Sequence, residues 1–196
     1  GSVLRLNTSS RVEVRFARNE RRLLLERGEA FFEVAHDATR PFIVVAGDTQ
    51  VQAIGTKFDV RRTADATHVT LAEGRVQVAR PSRKEAWTLV PNQKITLNGA
   101  SPVPQVTDAA MTTSWTTGRL RFRETPLVDA VTEVNRYSRT KITLDARHVE
   151  DERVSGVFDT GDTKAFVSAV TEVFSLTAST SPDGIHLRAR EPSGAS

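Results

Sequence analysis

Histidines carry the most versatile side-chain chemistry in this chain, because imidazole ligates metals and moves protons near neutral pH. There are four, His36, His68, His148 and His186. No two of them stand at the i, i+4 helical spacing that would aim two ring nitrogens at one ion. Their spacing therefore reads as surface and turn histidines. Carboxylates are plentiful, but the run Glu150-Asp151-Glu152 lacks the alternating oxygen ligands of a calcium loop and reads as a solvated acidic loop. No serine sits in a Gly-x-Ser-x-Gly elbow and no glycine-rich phosphate loop is present. The chain has no cysteine, which excludes disulfides and thiolate sites. The expectation is no catalytic residue, no metal, no cofactor and no enzyme.

Arginine offers a different chemistry. Arg119, Arg121 and Arg123 alternate with Leu120 and Phe122, the period of a strand whose arginines share one face. Near the C-terminus Ile185, Leu187 and Ala189 point one way, and His186, Arg188 and Arg190 the other. If the two strands are neighbours, they build a basic face inside a segment, 118–196, that carries 11 Lys and Arg against 12 Asp and Glu. One reading is an ordinary solvated sheet face. The other is a surface for docking a partner protein, since arginine is enriched at interfaces and a sheet edge offers free backbone groups to a partner strand. On that reading the partner-binding residues are Arg119, Arg121, Arg123, His186 and Arg188. The formal net charge is only +3, and residues 1–117 carry 16 Lys and Arg against 12 Asp and Glu. That spread is not the basic stripe of a nucleic-acid binder, and no small-molecule substrate is indicated.

Two kinds of segment must position these residues. Up to residue 98 the chain reads as β throughout. Arg11-Val12-Glu13-Val14-Arg15-Phe16 alternates polar and apolar as a half-buried strand does. Leu23-Leu24-Leu25 and Ala30–Val34 follow as two strands separated by Gly28, and further strands are expected at 42–46, 49–54, 57–62, 67–71, 75–79, 87–90 and 94–97. Short strands separated by turn residues, with no helical stretch, predict an all-β sandwich, barrel or solenoid. Leu25-Glu26-Arg27-Gly28 before Phe32-Glu33-Val34 is echoed by Leu71-Ala72-Glu73-Gly74 before Val76-Gln77-Val78. Residues 99–117 read as a linker with a short helix capped by Asp108.

From 118 the periodicity changes. A strand over 119–123 leads to Thr125-Pro126, read as N-cap and first helical residue, with Leu127, Val128, Val131 and Val134 on one helical face. Strands follow at 141–145 and 153–159. Asp162 then caps a second helix bearing Phe166, Val167, Val170, Val173 and Phe174 on one face, and a hairpin turns at Ser181-Pro182-Asp183-Gly184. The order is β-α-β-β-α-β-β, and Ala130–Val134 repeats as Ala169–Val173. Two related units on one small sheet are expected, so 118–191 forms an α+β subdomain. The fold class is mainly β with α+β.

Several of these stretches resemble the FecR family. Gly28-Glu29-Ala30-Phe31-Phe32-Glu33-Val34, Arg40-Pro41-Phe42-Ile43-Val44, Ile54-Gly55-Thr56-Lys57-Phe58-Asp59-Val60 and Leu71–Val78 look like its domain core. Leu89-Val90-Pro91-Asn92-Gln93 is similar to the family's leucine–x–proline–glycine–glutamine element, with asparagine in place of glycine. Trp115-Thr116-Thr117-Gly118-Arg119-Leu120-Arg121-Phe122, Pro126-Leu127, Val134-Asn135-Arg136-Tyr137 and Gly156-Val157-Phe158 resemble the family's C-terminal pattern. The β-α-β-β-α-β-β order is similar to the small domain at the N-terminus of secretins and TonB-dependent receptors. The resemblance implies an all-β FecR domain, solenoid- or sandwich-like, over 1–98, and a secretin/TonB N-terminal-like subdomain over 118–191. It also implies the periplasmic region of a single-pass inner-membrane anti-sigma regulator. Such a region senses the signalling domain of a TonB-dependent outer-membrane receptor that imports iron–siderophores, and acts on an extracytoplasmic-function sigma factor through a cytoplasmic segment outside this chain. The rival expectation is a periplasmic carbohydrate- or peptidoglycan-binding β module. It calls for exposed aromatics on one face, whereas aromatics make up 6% of the chain.

Overall fold

The computed structural model describes residues 1–99, 102–146 and 149–190. They fall into two units, Gly1–Thr116 and Thr117–Ser196. The first unit contains β1 (Val3–Leu6), β2 (Arg11–Phe16), β3 (Arg21–Glu33), β4 (Phe42–Ala46), β5 (Thr49–Ala53), β6 (Lys57–Arg62), β7 (Thr67–Glu73), β8 (Val76–Arg80), β9 (Glu85–Leu89), β10 (Gln93–Leu97), β11 (Gln105–Val106) and α1 (Ala109–Thr112). The strands form one curled 11-stranded sheet with two halves. One half runs β1-β3-β6-β7-β10-β11 and the other β2-β3-β4-β5-β8-β9. Alternate apolar residues of both halves meet in one core, where Phe32 stacks on Phe58 at 5.0 Å and meets the edge of Phe42 at 5.9 Å.

The two strands expected over 23–25 and 30–34 are one strand, β3, bent at Gly28 and shared by both halves. Opposite β2 the register steps from Arg11↔Arg27 to Val12↔Leu25, which leaves Glu26 as the extra residue of a bulge. A bulge next to a left-handed residue turns a strand sharply. Gly28 has φ 83°, and a Cβ on it would stand 2.6 Å from the Ser10 Cα. The repeated Leu-x-x-Gly sequences thus have one structural cause: at Gly74, φ 86°, the chain leaves β7 in one half for β8 in the other. Asn92, φ 61°, stands at the passage from β9 to β10, so the asparagine adopts the left-handed conformation there. The echo marks corners of a curled sheet and not stacked coils of a solenoid.

The stretch expected as a linker holds ordered elements of the first unit. β11 pairs with β10, and α1 lies against β7 with the Asp108 carboxylate capping Met111 N at 3.1 Å, as the sequence predicts. Ala100 and Ser101 lie outside the described residues.

The second unit contains β12 (Arg119–Pro126), α2 (Leu127–Tyr137), β13 (Ile142–Asp145), β14 (Arg153–Asp159), α3 (Thr163–Val173), β15 (Leu176–Ser181) and β16 (Gly184–Ala189), in the expected order. They form two sheets where one was expected. β12 pairs with β14, and β16 lies between β13 and β15. Each helix touches strands of both sheets, and the Phe122, Phe158 and Phe166 rings cluster at 5.2 to 6.1 Å.

The start of α2 also differs from expectation. Pro126 ends β12 and occupies the cap position, while the Thr125 hydroxyl bonds the Arg123 backbone. The first free amides are satisfied from elsewhere: Leu127 N donates to Glu152 O at 2.8 Å and Val128 N to Glu150 O at 3.2 Å. The acidic run 150–152 therefore serves the start of α2 through its backbone carbonyls. Asp162 caps α3 as expected, accepting from Ala165 N at 3.0 Å. Two residues assigned to the buried faces lie outside them. Val128, in the first turn, is 41% exposed because Ala130 takes the inward position, and Val173 is 71% exposed because the helix ends there and no further turn covers it.

If the Gly28 corner shapes the sheet, Gly28→Ala destabilises the first unit by at least about 2 kcal/mol, from left-handed strain and the clash with Ser10. Urea unfolding of the chain reads this as a lower midpoint, and an unchanged midpoint would show that the corner tolerates a side chain.

Candidate functional site

The second unit presents the residues singled out for partner docking. Arg119, Arg121 and Arg123 are exposed on β12, but a bulge between Phe122 and Thr125 interrupts the alternation at Arg123, next to Glu124 with φ 49°. Arg119 faces Asp159 across the ladder at 3.6 Å. His186 and Arg188 lie on β16, in the other sheet. Both turn toward Asp145 on β13, His186 Nδ1 at 3.3 Å and Arg188 Nε at 3.6 Å. The single basic face therefore does not form, because β12 and β16 are not neighbours. Two smaller groups replace it: an arginine row on β12 and an Asp145–His186–Arg188 cluster.

Sequence reasoning placed a strand at the hairpin and named a sheet edge as a docking device, but did not identify β15 as that edge. Among the described residues β15 pairs with β16 alone, and Thr177, Ala178, Ser179 and Thr180 are all exposed. Ser181↔Gly184 closes the hairpin, and Arg190 N donates to Ser175 O beyond its other end. Antiparallel alternation then directs the amides of Thr177 and Ser179 to β16, and those of Ala178 and Thr180 outward. Beside this edge an open groove of about 740 Å³ is lined by Tyr137, Thr163, Val167, Ala178, Thr180 and Ile185. The signal was present in Leu176-Thr-Ala-Ser-Thr-Ser: a strand whose remaining side chains are small and polar has nothing to bury and leaves its backbone accessible.

The described histidines have local partners. His36 Nδ1 contacts Ile54 O at 3.0 Å, His68 Nδ1 contacts Thr96 Oγ1 at 3.0 Å, and His186 Nε2 contacts Ser181 Oγ at 3.2 Å. His148 lies outside the described residues. Burial pushes the His68 pKa down, helped by the charges of Arg61 and Lys94. The Asp37 carboxyl is lowered to about 2, chiefly by the Thr39 hydroxyl and then by Arg40. It organises the Asp37–Arg40 turn, accepting from the Thr39 and Arg40 amides. Among the described residues no group of three His, Asp or Glu could hold a metal ion, and no helix is long and apolar enough to cross a membrane. Trp87 is half-buried and Trp115 buried, so the described residues show no row of exposed aromatics of the kind a glycan platform uses.

Comparison with known proteins bears on both units. Residues 1–77 match the family model described as FecR protein. Two crystal structures of a candidate anti-sigma factor from Parabacteroides distasonis share 27% identity with the chain. They superimpose on it with TM-scores of 0.81 and 0.79, over 97% of this chain and 92% and 91% of theirs. No curated protein matches the chain.

His68 gives the first unit a pH signature. Its folded pKa lies below the unfolded value of about 6.5, so the unfolded state binds more protons as pH falls through that value. The His68 contribution to stability is therefore constant above about pH 6.5 and declines below it. His68→Gln removes this share of the decline, which denaturant midpoints at pH 7.5 and pH 5 (about 1 unit or more either side of 6.5) would detect. An equal decline in both proteins would exclude His68 as a source.

Proposed function

Because the chain belongs to the FecR-type family of anti-sigma regulators, we propose that it is the periplasmic sensing region of a single-pass inner-membrane protein that binds the signalling domain of a TonB-dependent outer-membrane receptor. The receptor's iron–siderophore state would pass through this contact, and a cytoplasmic segment outside this chain would carry it to an extracytoplasmic-function sigma factor. The reading is one of regulation by binding. Receptor docking would favour one conformation of the periplasmic region by differential affinity and so change what the membrane-proximal chain exposes.

The observation that carries the docking site is the open edge of β15. Its outward amides at Ala178 and Thr180 offer main-chain hydrogen bonds to an incoming strand, and the adjoining groove can take that strand's alternate side chains. The arginines supply a second, electrostatic contribution. Arg119, Arg121 and Arg123 on β12, and His186 with Arg188 on β16, would act as two separate patches and not one.

Titration calorimetry with the isolated signalling domain of a cognate receptor tests this. The expected result is saturable one-to-one binding at micromolar affinity or better, about −8 kcal/mol. Ala178→Pro removes an outward donor without breaking the ladder to β16, and should weaken binding about tenfold or more. Charge reversal of Arg121 and Arg188 together should do the same, and the two single reversals assign the effect to one sheet. Absence of binding by the folded wild-type chain would overturn the receptor reading. Full affinity in Ala178→Pro would move the site away from β15.

A further inference from the structure

In the first unit β2 is also an edge strand, and its character is opposite to that of β15. Among the described residues it pairs with β3 alone. Val12, Val14 and Phe16 lie on the same face as the buried Leu23 and Leu25 across the ladder, so they continue the core layer outward. Only Val12 reaches the core; Val14 is 54% and Phe16 59% exposed. The opposite face carries Glu13, half-buried, and Arg15, exposed, joined to each other at 2.8 and 2.9 Å.

The direction of the backbone groups follows from the hairpin. Ala17 N donates to Glu20 O, and Arg21 N donates to Pro41 O, away from β2. Alternation then points the amides and carbonyls of Glu13 and Arg15 at β3, and those of Val12, Val14 and Phe16 at the open side. The free hydrogen-bonding groups thus belong to the apolar residues.

We propose that β2 is a homodimer interface, in which two copies of the chain pair their β2 edges antiparallel about a two-fold axis at Val14. The strand is self-complementary in that register. Val14 faces Val14 of the second copy, and Val12 faces Phe16, as hydrogen-bonded pairs that use the outward backbone groups. Glu13 then stands opposite Arg15, and Arg15 opposite Glu13, at non-hydrogen-bonded positions where side chains approach most closely and opposite charges attract. The alternative register centred on Glu13 would set Glu13 against Glu13 and Arg11 against Arg15, so charge selects the Val14 register. The dimer joins two sheets and covers the apolar rim that each copy leaves open. It does not depend on the receptor reading and uses the other unit.

Charge complementation tests the pairing. In sedimentation equilibrium the wild-type chain is expected to rise from the 21.5 kDa monomer toward twice that mass with concentration. Glu13→Arg and Arg15→Glu each put like charges opposite one another twice per dimer, and each should weaken self-association about tenfold. Mixed together, the two variants restore both ion pairs, so a heterodimer should form where neither variant self-associates. Val14→Pro, which removes an outward amide and no ladder bond, should be monomeric. A wild-type chain that stays monomeric up to millimolar concentration would overturn the proposal. So would variants that dimerise as wild type does, or a mixture that fails to associate. Protection of β2 amides from exchange only when the receptor signalling domain is added would assign the edge to that partner and equally overturn the dimer.

Discussion

The backbone at Gly28 must turn a single strand out of one half of the sheet and into the other, and most of the first unit depends on that corner. Residues 21–27 of β3 pair with β2 and β4, while 28–33 pair with β1 and β6. The corner is closed by a small polar knot. The Ser10 hydroxyl donates to Glu29 O and accepts from Glu29 N, Asn7 N donates to Glu29 O, and the Asn7 amide bonds the buried Glu29 carboxylate at 2.6 Å. Arg62 donates to Glu26 O on the other side. These partners matter because the bulge takes backbone groups out of the ladder, and a buried group without a partner is costly. Phe32, four residues past the corner, then lies between Phe58 and Phe42 and locks the halves together.

A related economy governs the second unit. Its two helices are short, eleven residues each, and only α3 has a side-chain N-cap of its own. α3 uses Asp162, whereas α2 begins directly from a strand and takes its caps from the backbone of the 150–152 loop. The same elements are packed against two small sheets, which leaves strands with only one partner at their margins. Under the proposed function, such a margin is where a partner strand would add. A sheet edge is a binding site in waiting, and the side chains decide what it accepts. The Thr-Ala-Ser-Thr surface of β15 suits a partner that brings its own apolar side chains to the adjoining groove. The apolar rim of β2, with its alternating charges, suits a copy of itself.

Much of this was legible from residue order. Alternation identified nearly every strand of the first unit, Asp108 and Asp162 marked their helix starts, and Ser181-Pro182-Asp183-Gly184 located the hairpin. The family resemblance rested on short motifs, and the glycines in them stand where the sheet turns. The readings that failed share a cause. Leu23–Leu25 and Ala30–Val34 were separated because Gly28 reads as a break, when its positive φ instead bends a continuous strand. Arg119, Arg121, Arg123, His186 and Arg188 were joined because each strand has the right alternation, yet β12 and β16 belong to different sheets.

Periodicity reports which face of an element is apolar, because neighbouring side chains along a strand or helix are fixed relative to one another by local geometry. The sequence by itself therefore determined the elements, their inward faces, the corner positions and the absence of a recognisable reaction centre motif. It did not determine pairing, since any half-buried strand can satisfy its backbone against several others and the choice rests on contacts far apart in the chain. Only the tertiary structure decided that α2 and α3 pack on both sheets of the second unit, that β3 belongs to both halves of the first, and that β2 and β15 have one strand partner each among the described residues.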